Sequence, residues 1–168
     1  MPAIAYLALG SNLGNREGHL TAAREAIDDL PDTSIHRASA LYESAAWGAN
    51  EPQPHYLNAV VAVLTALTPV ELWRHTTVIE RGHGRTRSAE KNAARTLDID
   101  LLLFDDIVMN TTNLVLPHPR LHLRKFVLQP LLEVAAAINI PGLGPATELL
   151  AKIPGDDARK VSHNSSWN

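Results

Sequence analysis

Apolar positions along the 168-residue chain switch between two spacings, and the switches divide it into elements. Ile4 to Leu9 is a short apolar run that reads as a strand closed by Gly10-Ser11-Asn12. Leu20, Ala23, Ile27 and Leu30 then recur at three and four, so the spacing predicts a helix from about Arg16 to Leu30, capped by Asn15 and stopped by Pro31. Ser34 to Tyr42 alternates as a second strand, and Tyr56 to Thr65 makes a third of strong β character. The loop between them, Glu43 to His55, holds Gly48, Pro52 and Pro54, too much punctuation for regular structure and long enough to hint at function. Thr68-Pro69 starts a second helix that runs from Val70 to Arg81 and ends at Gly82 and Gly84. A strand from Arg95 to Phe104 comes next, and βαββαβ is the order of the split-βαβ, ferredoxin-like arrangement.

Past that core, Asp105-Asp106 turns into Ile107 to Met109, expected to add a hairpin strand to the sheet. Phe126 to Ala137 reads as a helix despite Pro130, and Thr147 to Ile153 as a short last one. The expected fold class is α+β: a ferredoxin-like βαββαβ core with an added hairpin strand and C-terminal helices, in three αβα layers. The length suits a single domain over 1–168, with a polar tail from about 155 expected to be mobile.

Two residues break the apolar pattern of the last core strand. Asp98 and Asp100 sit at i and i+2, so both carboxylates share one face while Leu97, Ile99, Leu101 and Leu103 share the other. Like charges about 6.5 Å apart repel by roughly 2 kcal/mol at an effective dielectric near 20. A divalent cation held between oxygens would offset that, and an oxygen-only donor set favours Mg²⁺ over zinc. Two solvated acids on an exposed strand face are the alternative.

The segment leading into this strand carries Arg81, Arg85, Arg87, Lys91 and Arg95, five of the fifteen Lys and Arg residues in fifteen positions. Guanidinium forks match phosphate oxygens in pairs, and the segment runs straight into the paired acids, so polyphosphate with Mg²⁺ fits the spot better than a merely solvated loop. Asn58, among Leu57, Ala59, Val60 and Val61, is an amide that must find partners; it suits the edge of a flat heterocycle or a structural bond to loop backbone. Gly10 to Gly14 lacks the lysine and spacing of a P-loop and reads as a tight turn. His118 and His122 have helical ligand spacing, but Pro117 and Pro119 disfavour a helix there. His118 beside Arg120, Arg124 and Lys125 reads instead as phosphate or base contacts, or as a surface basic cluster.

Composition narrows the classes. With no cysteine the chain has no disulfide, thiolate nucleophile or cysteine-ligated metal, and no serine lies in a nucleophile-elbow context. A net charge of -3 argues against general nucleic-acid affinity, and 5% aromatics against an RNA-stacking sheet. No apolar run approaches the roughly 18 residues of a membrane span, and no basic-then-apolar signal opens the chain, so the expected address is cytoplasmic. A metal-dependent phosphohydrolase shares the paired acids, and the identity of the acceptor would separate it.

Four segments in order carry a more specific signal: Tyr6-Leu-Ala-Leu-Gly-Ser-Asn-Leu-Gly14, Gln53-Pro-His-Tyr-Leu-Asn58, Arg95-Thr-Leu-Asp-Ile-Asp100, and Leu116-Pro-His-Pro-Arg120 with Phe126-Val-Leu-Gln-Pro130. Over roughly Ala5 to Val134 the chain resembles the 6-hydroxymethyl-7,8-dihydropterin pyrophosphokinases of folate biosynthesis. These have a ferredoxin-like fold and transfer diphosphate from ATP to the pterin hydroxymethyl group, leaving AMP. The resemblance implies that Asp98 and Asp100 hold two Mg²⁺ ions bridging the ATP phosphates and that Arg85 and Arg95 are catalytic loop arginines. By the same resemblance Glu80, Arg87, His118 and Arg124 lie on the ATP side, and Ser44, Tyr56, Asn58 and Phe126 form the pterin pocket, with Phe126 stacked on the ring. The implied partners are ATP and the pterin, with no nucleic acid or membrane, and the chain is expected to be a monomer. One departure stands out: Asn92-Ala93-Ala94-Arg95 replaces the usual Trp-Gly-Pro-Arg. It implies slower turnover, a relative that binds without catalysing, or closure by another residue such as Trp47, and Asn92→Trp with Ala94→Pro is the substitution that tests it.

Overall fold

The computed structural model describes residues 2–45, 53–83, 96–155, 158–161 and 167. Within them the mixed α/β fold is an antiparallel sheet with four helices. In chain order the elements are β1 (Ala3–Ser11), α1 (Arg16–Asp28), β2 (Thr33–Ala38), β3 (Tyr42–Ser44), β4 (Tyr56–Thr65), α2 (Pro69–Gly82) and β5 (Asp98–Phe104). After them come β6 (Met109–Asn110), β7 (Val115–Leu116), α3 (Lys125–Val134), β8 (Asn139–Ile140), β9 (Gly144–Pro145), α4 (Ala146–Ala151) and β10 (Ala158–Lys160). The main sheet runs β10-β3-β4-β1-β5, and β2 also pairs with β4.

Local chemistry sets the boundaries. The Asn15 side chain accepts from Gly18 N to start α1, and Thr68 with Glu71 forms a reciprocal capping box on α2, so orphan amide donors are satisfied at the N-terminus of each helix. The expected second strand is cut in two at Ser39. Its Oγ accepts from Val60 N at 2.9 Å and donates to Ala40 O at 2.8 Å, so a side chain takes the place of a ladder bond and re-aims the chain between β2 and β3. The expected hairpin exists as β6 and β7, but these pair with each other as a separate two-stranded sheet and do not extend the main one.

Apolar residues sort onto two faces. Leu7, Leu9, Leu57, Ala59, Val61, Val63, Ile99 and Leu101 pack with Leu20, Ala23 and Ile27 of α1 and Leu72 of α2. Tyr6, Val60, Ala62, Leu102 and Leu103 pack with Val127, Leu128 and Leu131 of α3 and Leu149 of α4. Leu103 therefore departs from the face assigned by simple alternation. The register between β1 and β5 shifts, so that Tyr6 pairs with Leu103 while Leu7 pairs with Leu101. The extra residue, Leu102, is a bulge that reverses the facing of the strand beyond it. Asp98 and Asp100 precede the bulge and keep their shared face.

The described residues of the tail, 158–161 and 167, pack against the sheet. Ala158–Lys160 adds β10 to the outer edge of β3, and Trp167 is buried to 1% exposure in the core beneath α1. Its Nε1 donates to Ser39 O at 2.8 Å, and the Arg24 guanidinium lies 5.0 Å from its ring centroid. Polarity dominates the tail's sequence and masks the single indole near its end.

Candidate active site

A cleft of about 400 Å³ opens on the α3 side of the sheet, where the ends of β1, β4 and β5 meet the start of α3. Its floor is made of small residues. Ala8 lies opposite Asp100 in the ladder and Gly10 opposite both Asp98 and Asn58. A Cβ at Gly10 would sit 3.4 Å from Asn58 Oδ1 and from the Tyr56 ring, in contact with both side chains, which places them directly over this position of the strand. Gly10 ends the first strand in the sequence pattern, and the taper Tyr6, Ala8, Gly10 along one strand face is the signal that it also floors the cleft.

One wall is strand-built. Asn58 is buried, and its Nδ2 donates to Ser44 Oγ at 2.8 Å and to Tyr42 O at 3.2 Å. Both partners belong to β3, which pairs Tyr42 with Asn58 and Ser44 with Tyr56. The bonds fix the amide plane, and its Oδ1 points toward the floor at Gly10. At the mouth, buried Asn12 donates to Gln53 Oε1 at 3.0 Å and Pro54 O at 3.2 Å, while Arg16 bonds Glu43 at 3.1 Å and His55 O at 2.8 Å. The Asn12 and Arg16 side chains thus hold the chain that leads into β4.

The other wall carries charge. Asp98 and Asp100 face the cleft, as do His118, Arg120, Arg124 and Phe126. His118 Nε2 stands 4.0 Å from Asp100 Oδ2 and Arg124 Nη1 stands 3.9 Å from the same oxygen, beyond hydrogen-bond length. The Arg124 guanidinium also lies 5.7 Å from the Phe126 ring centroid. Burial lowers the His118 pKa to about 4, the Arg124 and Arg120 charges adding to the effect and Asp98 opposing it. Its Nδ1 accepts from Arg120 N at 3.1 Å, so the neutral ring carries its proton on Nε2. Burial likewise lowers the Arg124 pKa, with Asp100 opposing.

The residue types on this wall suit Mg²⁺. Among the described residues no group of three or more His, Asp or Glu side chains comes together to enclose an ion. Two carboxylates opening on a cleft wide enough for a ligand match a cation that keeps waters and takes its remaining oxygens from phosphate. As the flanking prolines lead one to expect, His118 and His122 share no helix: His122 lies in a 3₁₀ turn (Leu121–Leu123) and is not among the residues lining the cleft.

Eight of the expected residues therefore share one cleft: Ser44, Tyr56, Asn58, Asp98, Asp100, His118, Arg124 and Phe126. Glu80 does not line it. Buried to 6% exposure on α2, its Oε2 accepts from Ile99 N at 2.9 Å, behind the strand and midway between the two aspartates. Arg85, Arg87 and Arg95 lie outside the described residues, as do Trp47 and Asn92 to Ala94.

Comparison with known proteins points the same way. The family model described as 7,8-dihydro-6-hydroxymethylpterin-pyrophosphokinase matches residues 6–136. The 2-amino-4-hydroxy-6-hydroxymethyldihydropteridine pyrophosphokinase of Haemophilus influenzae is 38% identical over 146 residues, covering 87% of this chain and 90% of its own. That of Bacillus subtilis is 40% identical over 136 residues, covering 81% and 80%. In fold, the crystal structure of Plasmodium falciparum wild-type HPPK-DHPS with pteroate superposes with a TM-score of 0.71 at 15% identity, over 90% of this chain and 42% of that one. With a family model spanning most of its length and relatives this similar over so much of both chains, the chain belongs to the 7,8-dihydro-6-hydroxymethylpterin-pyrophosphokinase family.

Proposed function

We propose that this chain transfers diphosphate from ATP to 6-hydroxymethyl-7,8-dihydropterin, giving AMP and the pterin diphosphate, a step of folate biosynthesis. The observation that carries the reading is the pairing, in one cleft, of a fixed amide and an aromatic ring with two carboxylates and two basic side chains. A flat heterocycle needs the first set and a polyphosphate the second. The strand order β5-β1-β4-β2, crossed by α1 and α2, supports a ferredoxin-like core.

Asn58 reads the pterin edge with its amide while Ser44 and Tyr42 hold that amide still, and Phe126 offers a ring face for stacking. Asp98 and Asp100 would hold Mg²⁺, two ions in this reading, supplying neutralisation of phosphate charge as the pterin oxygen bonds to the β-phosphorus and the bond from β-phosphorus to the AMP oxygen breaks. His118 donates through Nε2–H to a phosphate oxygen. Its Nδ1 is already occupied by Arg120 N, so it is a donor here and not a base. Arg124 adds a fixed positive charge, and Arg85, Arg87 and Arg95 are proposed to contribute further cations. Positioning and charge neutralisation do most of such work. No helix among the described residues is long and apolar enough to cross a membrane. A cytoplasmic address and a monomeric state are part of the same proposal.

The test is incubation with ATP, Mg²⁺ and the hydroxymethyl dihydropterin, with analysis of the products. Pterin-dependent AMP and pterin diphosphate are expected. Release of phosphate without pterin would mark a hydrolase, and binding of both ligands without AMP release would mark a relative that has lost catalysis.

A further inference from the structure

We infer that the C-terminal segment, β10 and Trp167, is a positioning element that holds the pterin-reading wall in place from behind. The inference rests on the function proposed above. It starts from the weakness of β3, which is only three residues long yet supplies both groups that orient Asn58. A strand that short, left as a sheet edge, would have one side of its backbone open to water. Here that side is taken by the tail. Ala158 pairs with Ser44, Arg159 with Glu43 and Lys160 with Tyr42, and Val161 N donates to Leu41 O at 2.8 Å just beyond the ladder.

The segment is fastened at separate points. Lys160 Nζ lies 3.8 Å from Glu133 Oε1 on α3, and the same carboxylate accepts the Tyr42 hydroxyl at 2.5 Å and Ala40 N at 2.8 Å. Burial and the neighbouring Glu133 charge keep the Tyr42 phenol protonated and donating. Trp167 binds Ser39 O, and the Ser39 hydroxyl in turn accepts Val60 N on β4, two residues from Asn58. The Trp167 carbonyl accepts from Arg24 on α1. The tail thus grips β3 along its outer edge and is fastened to α3 and to α1, while none of its described residues lines the cleft. Removing the grip frees β3, and with it Asn58, and leaves the aspartate wall on the far edge of the sheet untouched.

The experiment compares the full chain with Val161→Pro, which deletes one edge bond with little change in core volume, and with Trp167→Ala and Trp167→Phe. Steady-state KM for the pterin, kcat, and calorimetric affinity for a non-hydrolysable ATP analogue with Mg²⁺ are read for each. Val161→Pro and Trp167→Ala are expected to raise the pterin KM five- to tenfold while analogue affinity stays within twofold, with Trp167→Phe between them and the full chain. An unchanged pterin KM in Val161→Pro, or analogue affinity falling in step with pterin affinity, overturns the inference. Absence of pterin-dependent AMP release in the unaltered chain would overturn the function itself and this inference with it, so the two failures are told apart by the control. Should Trp167→Ala fail to fold, Val161→Pro and Trp167→Phe decide the matter alone.

Discussion

The two walls of the cleft are built on opposite terms. On the strand wall, Asn58 is held by bonds of 2.8 and 3.2 Å to β3 before any ligand arrives. On the charged wall, His118 and Arg124 stop 3.9 to 4.0 Å short of the Asp100 oxygen they face. A neutral planar ligand is best read by donors and acceptors already locked in place, since each rotamer fixed in advance removes an entropy cost from binding. A polyphosphate with its cations is met differently: Arg124 and His118 face Asp100 at long ion-pair range, and a phosphate oxygen entering the cleft can take a shorter, charge-assisted bond from either. β1 separates the walls, and its small residues Ala8 and Gly10 leave the space between them open.

Breaking the charged wall should have the largest effect. Asp98→Ala is expected to lower Mg²⁺-dependent AMP formation by about a thousandfold, since preorganised charge at a reacting phosphate supplies a large part of such catalysis. Pterin binding by calorimetry in the absence of ATP should change little. Retention of full activity would refute the assignment of Asp98 to the metal.

The same wall should also show itself in stability. His118 is neutral in the folded protein down to about pH 4, whereas in the unfolded chain it takes up a proton at its ordinary pKa near 6.5. Between those values the unfolded state binds more protons, so this group's contribution to stability is present above pH 6.5 and is lost as pH falls toward 4. The difference amounts to about 2 kcal/mol between pH 7 and pH 5. Urea unfolding of the metal-free protein at those two pH values, beside His118→Gln, checks it. The glutamine variant should lose less stability on acidification, and equal losses would show that the ring is not buried neutral.

On the strand wall, Asn58→Ala removes an amide with two β3 partners and leaves Ser44 and Tyr42 to rearrange. A loss of roughly 2 kcal/mol, about thirtyfold in pterin affinity, is expected, with ATP-analogue affinity within twofold. Coupled losses on both ligands would mean that the walls are not independent.

Much of this contrast is legible in the chain. Two acids at a strand's period announce a chemical face, and Asn58 amid valines announces an amide with partners, because alternation and burial are local consequences of residue type. The hidden part depends on register. The bulge at Leu102 moves Leu103 to the other core, and only the pairing with β1 reveals it. Ser39 interrupts a strand because it meets Val60, 21 positions away. Trp167 reaches Ser39 across 128 positions, a contact that no window of the sequence displays. Eight residues named by resemblance line one cleft, but resemblance does not separate a ligand contact from a support behind the strand.

Glu80 is where that difference can be measured. Among the described residues β5 is an edge strand, so Ile99 N points away from β1 and needs an acceptor that the sheet there does not supply. The Glu80 carboxylate fills that role at 2.9 Å, and because Ile99 lies between Asp98 and Asp100, the bond holds the stretch of backbone from which both acids project. Glutamine keeps a carbonyl oxygen at the same reach, and alanine does not. If Glu80 acts through the strand, Glu80→Ala should raise the Mg²⁺ concentration for half-maximal activity about tenfold, the equivalent of one hydrogen bond to a buried amide, while Glu80→Gln stays within threefold of the full chain. If instead the two variants lose activity equally and through KM for ATP, the negative charge itself meets the nucleotide and Glu80 belongs to the charged wall.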